Sequence, residues 1–183
     1  MEATDILMAE HRVIEGVLAV LDTAVQRLEQ GQTVRAGFFL EAADFIKGFA
    51  DGCHHRKEEG VLFEAMVAHG MPRLGGPIAV MLADHEQGRS FTRGMRAAAL
   101  KLEAGDASAQ EGVISNAQGY VTLLRQHIMK EDNILFPMAN RVISLADQPK
   151  IAQDFERVEH EETGEGVHEK YLALAASLGR EMG

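Results

Sequence analysis

The chain contains 183 residues, of which 46% are hydrophobic and 25% are charged, and its formal net charge is −10. This length favours one domain with a substantial core, and the Ala, Leu, Met and Glu content is typical of a helical protein. A net negative charge opposes binding to nucleic acid or anionic lipid, and the Lys and Arg residues are scattered along the sequence, so we expect neither partner.

The sequence carries no signal for export or membrane insertion. Its single cysteine, Cys53, cannot form an internal disulfide, and its first residues are acidic where a secretion signal would be basic. It also lacks any run of about 18 apolar residues. We therefore expect a cytoplasmic protein that does not enter a membrane, while the oligomeric state stays open.

Four long amphipathic helices are predicted in chain order. Apolar residues recur at helical spacing over about residues 4–30, 33–69, 77–104 and 108–137. Pro137 is expected to kink or end the fourth helix. Because the links are short, residues 1–145 are predicted to form an all-α, up-and-down antiparallel four-helix bundle.

The C-terminal segment, residues 146–183, is predicted to be a helical extension that packs on the same domain. Its apolar face changes side partway along, since Ile151 and Phe155 fall on one side of a helical wheel and Tyr171 and Leu178 on the other. Glycines within residues 164–166 coincide with this change. We therefore expect two helical pieces with a break at this point.

A repeat of about 73 residues relates the two halves of the chain. C-H-H-R-K-E-E-G-V-L-F matches Q-H-I-M-K-E-D-N-I-L-F, and the identical pairs are His54 and His127, Lys57 and Lys130, Glu58 and Glu131, Leu62 and Leu135, and Phe63 and Phe136. The sequence around the lone His85, L-A-D-H-E, resembles that around the lone His11, M-A-E-H-R. Each half therefore contains one lone His followed by His-x-x-x-Glu.

The spacing of the repeated residues indicates a metal site. Residues four apart lie on one helix face, so an imidazole and a carboxylate there can reach the same ion. Two antiparallel hairpins would bring together the predicted ligands His11, His54, Glu58, His85, His127 and Glu131. Four imidazoles and two bridging carboxylates suit two first-row metals, and the absence of thiolate favours Fe or Mn over Cu(I).

Exposed i,i+4 pairs are the alternative interpretation of any single His-x-x-x-Glu motif. His55 also lies four residues before an acid, Glu59, but an α-helix turns it about 100° away from His54. The repeat places Ile128 and Asp132 at the corresponding positions. His55 is therefore not predicted to be a ligand.

These motifs resemble the hemerythrin-like family, the HHE cation-binding domain, over about residues 5–140. The resemblance implies a four-helix bundle that holds a non-haem di-iron centre at the six predicted residues, with an oxo, hydroxo or water bridge. The sequence departs from oxygen-carrying hemerythrins, which supply five histidines and two carboxylates, because only four histidines occupy matching positions. His160 and His168 are weak candidates for a further ligand, and Tyr120 for contact with a bound oxygen species.

The leading hypothesis is a di-iron protein that binds or reacts with O2, NO or H2O2. It would act as a sensor, a scavenger, or a peroxidase-like or NO-detoxifying oxidoreductase. The alternative is iron storage or donation without turnover. A third hypothesis is a regulatory module whose C-terminal segment moves when the state of the iron changes.

Overall fold

A computed structural model describes residues 2–183, apart from the side chain of residue 162. These residues form six helices and no strand. The helices are α1 (Ala3–Glu29), α2 (36–68), α3 (Pro77–Glu103), α4 (110–142), α5 (148–163) and α6 (Val167–Met182). A short 3₁₀ turn, Ala107–Ala109, leads into α4. The predicted all-α bundle is confirmed, and no helix among these residues combines the length and hydrophobicity that a membrane span needs.

Three helices contain π-helical segments, which the sequence did not predict. In α2 these segments are Ile46–His55 and Glu58–Leu62, in α4 Glu131–Leu135, and in α5 Val158–Thr163. The segments that begin at Glu58 and Glu131 occupy equivalent positions in the repeat. The π-helical turn at the repeated glutamate therefore recurs in both halves, whereas Ile46–His55 has no π-helical counterpart in α4.

Pro137 does not end α4, which continues to Val142. Of the two predicted effects of this proline, a kink or an end, the end does not occur, since the chain changes to a π-helix in the turn just before it. The N–H of Phe136 bonds to the carbonyl of Glu131, five residues back, and Pro137 follows with no N–H to place.

The bundle interior has two apolar clusters with a polar layer between them. One cluster includes Leu18, Phe49 and Leu124, and the other includes Leu7, Phe63 and Phe136. Along each bundle helix, the histidines of the repeat lie where the chain passes from one cluster to the other. The fold thus encloses the predicted metal ligands between two layers of packed side chains.

The C-terminal helices pack on the bundle. Phe155 of α5 joins the second cluster, whereas Leu178 of α6 joins the first. The break between the two helices is confirmed, and Gly164 and Gly166 adopt positive φ values of 111° and 75° there. The apolar face changes side because α5 packs against one apolar cluster and α6 packs against the other.

A glycine in α2 lets α6 approach closely. A Cβ atom on Gly48 would lie 1.9 Å from the ring of Tyr171, so only glycine leaves room for this side chain. Tyr171 also stacks edge-on against Phe45 at 6.4 Å. Tyr171 of α6 therefore packs directly against the backbone of α2 at Gly48.

Candidate metal centre

The six predicted ligands meet in the middle of the bundle. They come from all four bundle helices, with His11 on α1, His54 and Glu58 on α2, His85 on α3, and His127 and Glu131 on α4. Each of these residues is at most 1% exposed. Helical spacing and the repeat together therefore predicted side chains that converge from separate parts of the sequence.

The candidate ligand atoms form two groups that share one carboxylate. The first group is His11, His54, Glu58 and Glu131, and the second is His55, Glu58, His85 and His127. Within each group the atoms lie within 4.8 Å of one another. This spacing is compatible with one ion in each group and with a carboxylate bridge between them.

Both glutamates reach imidazoles of both halves of the repeat. Glu58 lies 3.2 Å from Nε2 of His54 and 3.4 Å from Nε2 of His85. Glu131 lies 3.1 Å from Nε2 of His127 and 3.3 Å from Nε2 of His11. Each carboxylate therefore links a paired histidine on its own helix with the lone histidine of the other half.

His55 lies among these residues, contrary to the prediction that it points away. It is 2% exposed, and its ring stacks on that of His85 at 3.8 Å between centroids. The sequence argument assumed an α-helix, but His54 and His55 end a π-helical segment. A π-helix has more residues per turn and separates neighbouring side chains by a smaller angle, so both imidazoles face the interior.

Each of the five histidines has one nitrogen hydrogen-bonded to a carboxylate. A carboxylate only accepts, so Nδ1–H donates and Nε2 is left to face the interior. The donor and acceptor pairs are His11 with Asp132 (2.7 Å), His54 with Glu10 (2.9 Å), His55 with Asp51 (2.8 Å), His85 with Glu59 (2.7 Å) and His127 with Asp84 (3.3 Å). Metal-binding histidines are typically fixed in this manner, and His55 shares the pattern.

The surrounding contacts repeat with the sequence. The Nζ atom of Lys57 donates to Glu10 at 2.5 Å, and that of Lys130 donates to Asp84 at 2.5 Å. Each lysine therefore neutralises the acid that orients the paired histidine of its own half. Both halves of the repeat thus use their lysine in the same way, which explains why a Lys precedes each repeated Glu.

The two repeated phenylalanines cover the site. Phe63 stacks on His85 with centroids 6.1 Å apart, and Phe136 stacks on His11 at 5.4 Å. Each aromatic ring follows the His-x-x-x-Glu of one half and covers the lone histidine of the other half. The repeated Leu-Phe pair thus forms an apolar wall that keeps water from the cluster.

The buried charges perturb one another strongly. Burial would lower the pKa of His54, but Glu58 and Glu10 outweigh it and raise the pKa to about 10. Burial is outweighed in the same way at His127, where Glu131 and Asp84 raise the pKa to about 9. In contrast, burial and the nearby His85 hold the pKa of His55 well below its ordinary value.

Several buried polar atoms of the cluster have no hydrogen-bond partner. They are Nε2 of His11, His54 and His55 and both carboxylate oxygens of Glu58 and Glu131. An unpaired buried polar group costs about 1–3 kcal/mol, and proteins rarely tolerate several together. Nitrogen and oxygen atoms that converge in this manner are the donors that divalent first-row metals bind, so the residues fit a metal centre.

Comparison with known proteins agrees with this geometry. The family described as the hemerythrin HHE cation-binding domain matches residues 2–139. The chain belongs to the hemerythrin family. It is therefore a metal-binding protein, and the matched residues span all but the last three residues of the four-helix bundle.

The similar curated proteins come from mycobacteria. Uncharacterized proteins of Mycobacterium bovis and of two strains of Mycobacterium tuberculosis are each 26% identical to the chain over 181 residues. The alignments cover 99% of this chain and 70% of each relative. No solved structure gave a significant match.

The other residues considered from sequence lie outside this hemerythrin-like cluster. His160 is exposed, and His168 of α6 lies 3.5 Å from Glu159 and 3.9 Å from Sγ of Cys53. Neither belongs to the two candidate groups, where His55 instead supplies the fifth imidazole; His168 forms a separate group with Glu10, Cys53 and Glu159. Tyr120 is 1% exposed, and its hydroxyl has no hydrogen-bond partner among the described residues.

Proposed function

We propose that the protein holds two iron ions in the bundle and binds or reacts with a small ligand such as O2, NO or H2O2. The ligands would be the six residues predicted from the repeat, with His55 as a fifth imidazole. The observation that carries the proposal is the set of unpaired, buried Nε2 and carboxylate atoms on residues of a hemerythrin-family chain. Five imidazoles and two carboxylates equal the number of side-chain donors in oxygen-carrying hemerythrins.

The division of histidines favours unequal iron environments. His55, His85 and His127 would serve one ion, and His11 and His54 the other. Glu58 belongs to both groups, and Glu131 lies 3.1 Å from Nε2 of His127 and 3.3 Å from Nε2 of His11, so it also could reach both ions. The ion beside His11 and His54 would have fewer imidazole donors. That side therefore offers the better place for an external ligand.

The surroundings favour a small ligand over a large substrate. The candidate ligands are at most 2% exposed. Phe63 stacks against His85, and Phe136 stacks against His11. Bound iron would supply the redox chemistry. The residues of the chain would orient the imidazoles through their Nδ1–H bonds and exclude bulk water.

Anaerobic purification followed by absorption spectra on adding O2, NO and H2O2 in turn tests this proposal. We expect at least one ligand to produce new charge-transfer absorption that saturates at about one ligand per two irons. No spectral response to any of the three ligands would refute it.

Chelation distinguishes ligand chemistry from iron donation. A buried centre with ordered carboxylate partners should lose iron slowly, so a weak chelator such as citrate is expected to remove little iron within the time needed for the ligand reaction. Rapid and complete transfer to citrate would instead support the alternative of iron storage or donation.

A further inference from the structure

A cleft on the surface of the bundle gathers basic residues that are distant in sequence. It has a volume of about 900 Å³ and lies between α2, α3 and the end of α5. The arginines that line it are Arg56, Arg73, Arg89, Arg93, Arg96 and Arg157. The basic residues are scattered along the sequence, but the fold brings these six arginines together.

The charge of the cleft is opposite to that of the chain. Lys47 joins the six arginines, whereas the acidic residues of the lining are Asp51 and Glu59. The cleft thus concentrates seven of the 18 basic residues of a chain whose net charge is −10. A concave surface of one sign focuses its field and raises the local concentration of ions of opposite sign.

Some of these cations already have acidic partners. Arg89 contacts Glu59 at 2.6 Å and Asp51 at 3.5 Å, and Arg93 contacts Glu86 at 3.1 Å. Within the described part of the chain, Lys47 and Arg96 make no ion pair. Their charges are therefore available to an external anion.

The floor of the cleft differs from its rim. Ala43, Val61 and Val158 are at most 8% exposed and present apolar surface, while Gly60 leaves open space beside them. A volume of this size is typical of small-molecule sites. The lining suits a molecule that has an apolar body and a negatively charged group.

We propose that this cleft binds a small organic anion whose carboxylate or phosphate contacts Arg96 and Lys47 and whose apolar body lies on the floor. Asp51 and Glu59 connect the cleft to the metal centre, because they accept hydrogen bonds from His55 and His85. The bound anion would approach Arg89, which contacts both acids. The binding site itself does not depend on which metal the centre holds.

Fluorescence titration of the full chain as purified, with 8-anilinonaphthalene-1-sulfonate, tests the proposal. We expect saturable binding at one site, which Arg96→Glu weakens about tenfold or more because it removes a charge-assisted contact. Lys101→Glu is the matched control, since Lys101 is an exposed cation on the same helix, outside the cleft. It should change the affinity less than about twofold, because it alters net charge alone.

A second pair of variants tests the apolar floor without changing charge. A Cβ atom on Gly60 would meet no atom within 4 Å, so Gly60→Leu should fold and extend its side chain into the cleft. Gly16→Leu, at a similarly open position on α1, is its control. Displacement of the dye by octanoate or by phenyl phosphate identifies a carboxylate or a phosphate as the preferred group.

Three results would overturn the proposal: absence of saturable binding, equal weakening by Arg96→Glu and Lys101→Glu, or binding that Gly60→Leu leaves unchanged. Thermal melts that match those of the parent protein verify that each variant is folded.

Discussion

Iron binding should release protons from two histidines. In the metal-free protein, the pKa of His54 is raised to about 10 and that of His127 to about 9. At pH 7.5 each imidazole is then more than about 95% protonated, yet a metal ligand must be neutral. Loading with ferrous iron should therefore release at least about two protons per chain, because the pKa values of His11 and His85 are raised as well. The two protons of His54 and His127 alone should raise the apparent affinity by about 100-fold per pH unit near pH 7.5.

Calorimetric titration in buffers of different ionisation enthalpy measures this release. His69→Gln is the control, since His69 is exposed and contacts Asp147 and the carbonyl of Ala65, away from the cluster. This variant should release the same number of protons as the parent. Release of less than one proton, or an affinity that does not change with pH, would refute the reasoning.

The same histidines set the pH dependence of stability without metal. Their folded-state pKa values exceed the unfolded value of about 6.5, so their stabilising contribution is complete below that pH. It should be lost as the pH rises through about 9 and then 10. Chemical denaturation of the metal-free protein should therefore give a lower free energy of unfolding at pH 10 than at pH 6.5.

Three further substitutions test separate parts of the structure. His55→Phe should lower iron affinity at least about tenfold in an equilibrium titration, whereas His160→Phe should not, because only His55 lies in the cluster. Tyr120→Phe should leave the free energy of unfolding unchanged or raise it by about 1 kcal/mol, since it removes a buried hydroxyl that has no partner among the described residues. A decrease of more than about 1 kcal/mol would instead show that this hydroxyl makes a stabilising hydrogen bond. Leu178→Ala should destabilise the protein by about 2–5 kcal/mol, and Leu172→Ala by far less, because Leu178 is 0% exposed and Leu172 is 37% exposed.

The sequence contained enough to predict the bundle and its six converging residues. Apolar spacing defined the helix faces, and the repeat identified which histidines and glutamates share them. The same alignment pairs Glu10 with Asp84 and Glu59 with Asp132. It could therefore also have revealed four of the five acids that orient the histidines, but not Asp51, which aligns with Leu124.

Two features required the fold itself. The interior position of His55 depends on a π-helical segment, whereas the sequence argument assumed a constant α-helical turn. The basic cleft joins Lys47, Arg96 and Arg157 from three helices, so no local pattern in the sequence marks it. The first feature depends on the local helix type and the second on how three helices pack, and the spacing of residues along the sequence indicates neither.

Metal analysis after anaerobic purification tests the central claim most directly. If the buried imidazoles and carboxylates form a dinuclear centre, the protein should retain about two iron ions per chain after gel filtration. Fewer than one iron per chain, with no absorption from an oxo-bridged pair, would contradict the account.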